Sequence, residues 1–219
     1  MSKTAYNLTE IKDFLYAAVI SDALDSLGYT CQSPDLQFNI HIGHKKIAGR
    51  CKTTLWTDID HIDPNPYELE LEAVDTCQEG DIFIAAASGS CKSGIWGELL
   101  STAARNSGCE GAIIDGCVRD IDKIQEMGFT VFAKGKSIYD SQNRQTVINL
   151  DVPVRIGGVL FHPGDLVFCD QDGVVVIPQE IEAEVIEKAM QKVTAENITR
   201  NEIINGMKAK EAYHKYGVL

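Results

Sequence analysis

Apolar residues recur at helical spacing from the start of the chain. Ile11, Phe14, Leu15, Ala18 and Val19, continuing through Ala23, Leu24 and Leu27, fall at i, i+3 and i+4 intervals and predict one amphipathic helix. Asn7-Leu8-Thr9-Glu10 has the form of a capping box, in which the Asn side chain and the Glu carboxylate satisfy each other's free amides. Gly28 stops the helix. Over residues 46–57 β-branched and aromatic patches (Thr53, Thr54, Trp56) predict a strand running into a loop at Asp63-Pro64-Asn65-Pro66. Residues 68–76 read as a short helix.

The next stretch alternates. Residues 81–85 form a buried strand, 97–106 a helix, 111–115 a strand, 120–127 a helix and 129–133 a third strand. Such alternation predicts right-handed βαβ crossovers and a parallel sheet, in which ligands gather at the carboxyl ends of the strands. After Asp151 the period shortens. Strands at 152–156, 159–161, 166–169 and 174–177 are broken by Gly157-Gly158, Pro163-Gly164-Asp165 and Asp170-Gln171-Asp172-Gly173, which predicts an antiparallel layer or barrel element. Ile181, Val185, Ile186, Ala189 and Val193 mark a long helix over 179–205, ended by Gly206 and followed by a polar helical tail.

With 219 residues, 44% apolar and 24% charged, the chain can bury a full core, and one domain over residues 1–219 is expected. No apolar run reaches membrane-spanning length, and the start lacks the basic-then-apolar pattern of a signal peptide. A soluble, cytoplasmic protein with no membrane partner is expected. The seven cysteines, 31, 51, 77, 91, 109, 117 and 169, contain no Cys-x-x-Cys pair, so reduced and mostly buried thiols are expected. A formal net charge of −12, relieved only around His44-Lys45-Lys46, argues against nucleic acid as a partner.

Several motifs fail on their chemistry. Gly89 and Gly94 have P-loop spacing, but Ile95-Trp96 stand where Lys and Ser/Thr are required. In Asp170-x-Asp172-Gly173 the glycine comes too early for a calcium loop and residue 181 is Ile rather than Glu, so a hairpin turn is the better reading. Asp115-Gly116 also reads as a turn. His41 and His44 lack a third ligand nearby and sit at an expected exposed strand edge. Lys134 and Lys136 are expected to be solvated, and Ser88-Gly89-Ser90-Cys91 has no neighbouring His to activate a nucleophile.

What survives is Gly94-x-x-Gly97 leading into Glu98-Leu99-Leu100, with Arg119-Asp120 at the end of the following strand. The free amides of a helix start can seat an anion, or the glycines can serve only strand-to-helix packing. A hard divalent cation favours carboxylate oxygen and keeps water as its other ligands, and a guanidinium beside it can grip a carboxylate or a developing oxyanion. A small keto acid fits such a site.

The stretch Gly97-Glu98-Leu99-Leu100 with Gly108-x-x-Gly111-Ala112-Ile113-Ile114-Asp115-Gly116-Cys117-Val118-Arg119-Asp120 resembles the signature of the RraA-like family. That family includes class II 4-hydroxy-4-methyl-2-oxoglutarate/4-carboxy-4-hydroxy-2-oxoadipate aldolases and an inhibitor of ribonuclease E. Ser21-Asp22-Ala23-Leu24, Val131-Phe132-Ala133, Pro163-Gly164-Asp165, the segment from Asp170 to Pro178 and Lys215-Tyr216-Gly217 extend the resemblance over nearly the whole chain.

The resemblance implies a layered α/β sandwich with a swivelling β/β/α-type core, a mixed sheet and N- and C-terminal helices. It implies a homotrimer or homohexamer with sites between subunits. In the aldolase branch it implies that Gly97, Glu98, Leu99, Leu100 and Arg119 bind substrate, that Asp120 ligates Mg2+ or Mn2+, and that Glu98 approaches the metal through water. Glu98 and Arg119 would carry the catalysis. The expected activity is cleavage of a 4-hydroxy-2-keto acid to pyruvate, with oxaloacetate decarboxylation alongside. The alternatives are a protein-binding regulator of a ribonuclease or a related keto-acid decarboxylase. An acidic residue from a neighbour's C-terminal region, Glu196 or Glu202, is expected to reach the site. Ser88-Gly89-Ser90-Cys91 and Thr130 depart from the family's paired glycines and proline.

Overall fold

A computed structural model describes residues 5–43 and 46–218. His44, and with it the pairing of His41 and His44, lies outside the described residues. Where one helix was predicted there are two, α1 (Leu8–Phe14) and α2 (Ala17–Ser26). The capping box forms as expected: Asn7 Oδ1 accepts from the Glu10 amide at 3.0 Å and Glu10 Oε2 accepts from the Asn7 amide at 2.8 Å. The break falls at Leu15 and Tyr16, both extended. Distant side chains satisfy the backbone there. Lys46 Nζ donates to the Leu15 carbonyl at 3.0 Å, and Asp170 Oδ2 accepts from the Ala17 amide at 2.8 Å. Periodicity runs through the break because Ile11, Leu15, Val19 and Ile20 face one core.

The chain continues as β1 (Ile40–Ile42), β2 (Ile47–Asp58), α3 (Glu68–Asp75), β3 (Asp81–Ala86), β4 (Gly94–Trp96), α4 (Glu98–Asn106), β5 (Gly111–Val118), α5 (Ile121–Met127) and β6 (Thr130–Lys136). There follow β7 (Gln145–Leu150), β8 (Val154–Ile156), β9 (Val159–Phe161), β10 (Leu166–Cys169), β11 (Val174–Ile177), α6 (Glu182–Ile204) and α7 (Ala209–Tyr216). The principal sheet runs β1-β6-β5-β3-β2-β10-β11, with β4 on β5 and β7 on β2. Strands β2, β3, β5 and β6 are parallel, as the alternation predicts. β10 is antiparallel to β2 and β11, and β8 pairs β9 separately. This is the mixed-sheet α/β class, closed by N- and C-terminal helices, that was expected.

Both sheet faces are covered, so the central strands are apolar throughout. Phe83 and Ala85 face a core with Trp96, Ile114 and Val131, while Ile82 and Ile84 face one with Ile113, Phe132, Phe161 and Val176. The expected turn at Asp115-Gly116 is instead strand: β5 continues to Val118, with its register against β6 shifting between Ile114 and Cys117. A Cβ on Gly116 would meet Ile95 Cδ1 at 3.1 Å and the Ser90 carbonyl at 3.2 Å. Close packing, not a turn, therefore uses this glycine. The hairpin at Asp170–Gly173 is as expected, closed by the Asp170 amide on the Gly173 carbonyl at 3.0 Å.

Candidate functional site

β4, which the sequence pattern does not announce, brings the two halves of the site together. β3 follows β5 only as far as Ala86 beside Asp115, then the chain steps away and returns as β4, pairing Gly94 with Cys117 and Trp96 with Val118. The next residues on each strand therefore emerge side by side. The Arg119 amide donates to the Trp96 carbonyl at 2.9 Å, and Asp120 Oδ2 accepts from the Glu98 amide at 3.3 Å. Glycines permit this approach. A Cβ on Gly97 would lie 2.9 Å from Asp120 Oδ2 and 3.3 Å from Arg119 Cγ, and one on Gly94 would lie 3.1 Å from Arg119 Cβ.

Asp120 adopts a left-handed backbone (φ 58°) just before α5 and makes no side-chain cap to that helix. Its carboxylate turns instead to the start of α4. A non-glycine residue held in this region costs about 1–3 kcal/mol and persists where its surroundings impose it, often at functional sites. Trp96 Nε1 donates to Ser101 Oγ at 2.8 Å, and Ser101 Oγ donates to the Gly97 carbonyl at 2.9 Å, which fixes the first turn of α4. Beyond the Glu98 amide, those of Leu99 and Leu100 have no acceptor among the described residues. Free amides of this kind at a helix start are able to seat an anion. Glu98 Oε1 accepts from Thr102 Oγ1 at 3.0 Å, which holds the carboxylate along the helix. Leu99 is 77% exposed, whereas Leu100 packs on the core.

Arg119 is anchored by Asp140, at 2.6 Å between Nη2 and Oδ2. Asp140 Oδ1 also accepts from the Tyr67 hydroxyl at 2.6 Å and the Gln142 amide at 2.8 Å. Burial raises the Asp140 pKa, but these bonds and the Arg119 charge outweigh it and hold the carboxyl below its usual range. Burial, then the hydrogen bond to Asp140 and its charge, push Tyr67 up to about 12. Glu70, 7% exposed, is pushed up to about 7, chiefly by burial and also by the Asp140 charge. The Ser141 hydroxyl, 3.3 Å away, and the Arg119 charge oppose that rise.

Sequence reasoning did not find Tyr67, Glu70 or Asp140. For Glu70 a signal was present: it shares the i, i+3, i+4 face of α3 with buried Ala73 and Val74.

Three expectations need revision. Cys91 and Cys117 are joined in a disulfide rather than reduced, although Cys51, Cys77, Cys109 and Cys169 are buried free thiols as expected. The pair fits because Gly135 lacks a side chain: its Cβ would lie 3.1 Å from Cys117 Sγ. Lys134 is half-buried rather than fully solvated, its Nζ donating to the Gly89 carbonyl at 2.6 Å. His41 is half-buried, its ring stacked on Phe132 with centroids 4.1 Å apart. Glu196, one of the two candidates to reach a neighbour, accepts from the Tyr16 hydroxyl and pairs with Lys192 and Arg200 at 4.0 and 3.9 Å within its own chain.

Fold and site together define a layered mixed-sheet α/β protein with an Arg-Asp pair and an open helix start at the carboxyl ends of parallel strands. The chain belongs to the RraA-like family, described as Aldolase/RraA, which matches residues 17–176. A Halalkalibacterium halodurans protein named "Putative 4-hydroxy-4-methyl-2-oxoglutarate aldolase" is 31% identical over 195 residues, covering 89% of this chain and 87% of that protein. The crystal structure of an uncharacterized protein from Pseudomonas syringae pv. tomato aligns with a TM-score of 0.80 at 27% identity, covering 97% of this chain and 99% of that one. Streptomyces coelicolor RraAS2, described as an unusual member of the RNase ES inhibitor RraA protein family, aligns with a TM-score of 0.76 at 25% identity, covering 91% and 99%. Among the described residues no helix is long and apolar enough to cross a membrane.

Proposed function

We propose that this protein is a divalent-metal-dependent lyase that cleaves a 4-hydroxy-2-keto acid to pyruvate and decarboxylates oxaloacetate. One observation carries the reading: the Asp120 carboxylate and the Arg119 side chain share the start of α4, with the Leu99 and Leu100 amides open beside them. The donor set suits a hard cation. Asp120 is a single exposed carboxylate, and among the described residues no group of three or more His, Cys, Asp or Glu side chains converges as a zinc site requires. Mg2+ or Mn2+, which keep several waters and accept one protein carboxylate, fit such a place.

Asp120 would hold the cation, which when bound supplies Lewis-acid polarisation of the keto oxygen. The chain's own groups supply the rest. The Leu99 and Leu100 amides seat a substrate carboxylate, and the Arg119 guanidinium stabilises the negative charge that develops as the carbon–carbon bond breaks. Glu98, whose second oxygen is left open by the Thr102 bond, orients the water through which the 4-hydroxyl proton is drawn off, and a proton returned to the enolate carbon completes pyruvate. Decarboxylation needs no such proton removal and uses Arg119 in the same way.

A homotrimer or homohexamer with the site shared between subunits is proposed. Glu196 or Glu202, both on α6, would be the acidic residue that reaches a neighbour. The aldolase name of the Halalkalibacterium relative supports the lyase reading, and the kinship of the Streptomyces neighbour with an RNase ES inhibitor supports a ribonuclease regulator. Pyruvate release from oxaloacetate and from 4-hydroxy-4-methyl-2-oxoglutarate, with Mg2+ or Mn2+ and again with a chelator, separates them. Metal-dependent release supports the lyase. Silence on both substrates favours the regulator.

A further inference from the structure

A hydrogen-bonded scaffold stands behind Arg119. Asp140 is fixed at three points: the Tyr67 hydroxyl and the Gln142 amide on Oδ1, and the Arg144 guanidinium on its carbonyl at 3.2 Å. The loop that carries it is tied to both strands whose ends make the site. The Gly94 amide on β4 donates to the Tyr139 carbonyl at 2.8 Å, and the Ser137 amide donates to the Val118 carbonyl of β5 at 3.1 Å. Asp140 takes one guanidinium nitrogen, Nη2. Nε lies 3.4 Å from where a Cβ on Gly97 would stand, so that edge lies at the start of α4. The guanidinium is thus gripped on one side and presented on the other.

A half-exposed Arg-Asp pair contributes little to stability. An arginine side chain, however, loses rotamer freedom when it is fixed, and holding it in place before substrate arrives removes that cost from the reaction. We propose that Asp140 and Tyr67 are positioning residues that fix the Arg119 guanidinium for the anionic group of the substrate. The proposal rests on the lyase reading for its substrate, a 2-keto acid, while its geometry is read directly from the contacts of Arg119, Asp140 and Tyr67.

The test is a double-mutant cycle in kcat/KM for pyruvate release from 4-hydroxy-4-methyl-2-oxoglutarate, with Asp140→Asn, Tyr67→Phe and Arg119→Ala singly and combined. Misplacing a catalytic group by about 1 Å costs up to about 10²-fold. Asp140→Asn is therefore expected to lower kcat/KM by ~10–10²-fold and Tyr67→Phe by less. Neither should cause further loss once Arg119 is Ala, since both act through it. Additive losses, or a gain in kcat/KM on freeing Arg119 from Asp140, would overturn the proposal. A wild-type protein that releases no pyruvate overturns the lyase reading instead. Nitrogen-15 relaxation of the Arg119 Nε–H then decides the positioning role: greater mobility in Asp140→Asn and Tyr67→Phe supports it, and unchanged rigidity refutes it.

Discussion

The Arg119 amide donates to the Trp96 carbonyl at 2.9 Å, and through that bond the exits of β4 and β5 become one surface. Gly97, Glu98 and Asp120 all lie within two residues of this contact. Trp96 is fully buried against Phe83, with ring centroids 4.6 Å apart, so the contact is anchored in the core rather than on a loop. A rigid base of this kind is what a site needs to hold charged groups in fixed relation.

Gly97→Ala tests the close approach. Its φ of −150° is extended backbone that any residue adopts, so the added methyl acts only through space, 2.9 Å from Asp120 Oδ2. The expected result is at least a ~10-fold loss of turnover with a thermal unfolding midpoint close to wild type. A large fall in the midpoint with turnover per folded molecule preserved would show that the glycine serves packing alone.

Arg119→Ala removes the group assigned to the developing negative charge. Pyruvate formation is expected to fall by about 10²-fold, the scale for losing one oxyanion stabiliser. Arg119→Lys should recover only part of it, because an ammonium cannot reproduce the planar fork. Steady-state kinetics on both variants checks this.

Glu70 makes stability depend on pH in a stated direction. Its pKa is raised from 4.5 to about 7, so between those values the folded protein holds a proton that the unfolded chain has lost. Stability therefore falls as pH rises through this window and levels off above about 7, with a cost of about 3 kcal/mol. Glu70→Gln, which keeps an acceptor for Ser141, is expected to raise the unfolding midpoint at pH 8 and to match wild type near pH 4.5. Thermal unfolding at both pH values provides the comparison.

Asp170→Ala removes the carboxylate that accepts from the Ala17 amide at 2.8 Å and starts α2. Loss of an N-terminal cap costs about 0.5–2 kcal/mol. Denaturant unfolding should show a lower midpoint, with turnover per folded molecule unchanged.

Much of the fold was legible because its central strands are long and apolar. The runs at Ile82–Ala85 and Ala112–Ile114 announce buried parallel strands, and the Asn7–Glu10 capping box announces a helix start. What stayed hidden depended on distant partners. Nothing in Phe14-Leu15-Tyr16-Ala17 signals a break that Lys46 and Asp170 impose. β4 is only three residues, Gly94–Trp96, too short to show a period, yet its pairing with β5 makes the site. Gly97, Glu98 and Arg119-Asp120 could be picked out by residue type and resemblance. Asp140 and Tyr67 could not, since each is an ordinary polar loop residue until the fold sets it beside Arg119.

The central claim, that Asp120 holds a divalent cation, is tested most directly by Mn2+ binding to wild-type protein and to Asp120→Asn, measured by electron paramagnetic resonance or calorimetry. The substitution keeps the size of the side chain and removes its charge. One Mn2+ per chain is predicted for wild type, with binding weakened by at least about 10-fold in the variant, the lower end of what disturbing a metal site costs. Equal Mn2+ affinity in the two proteins would contradict the claim.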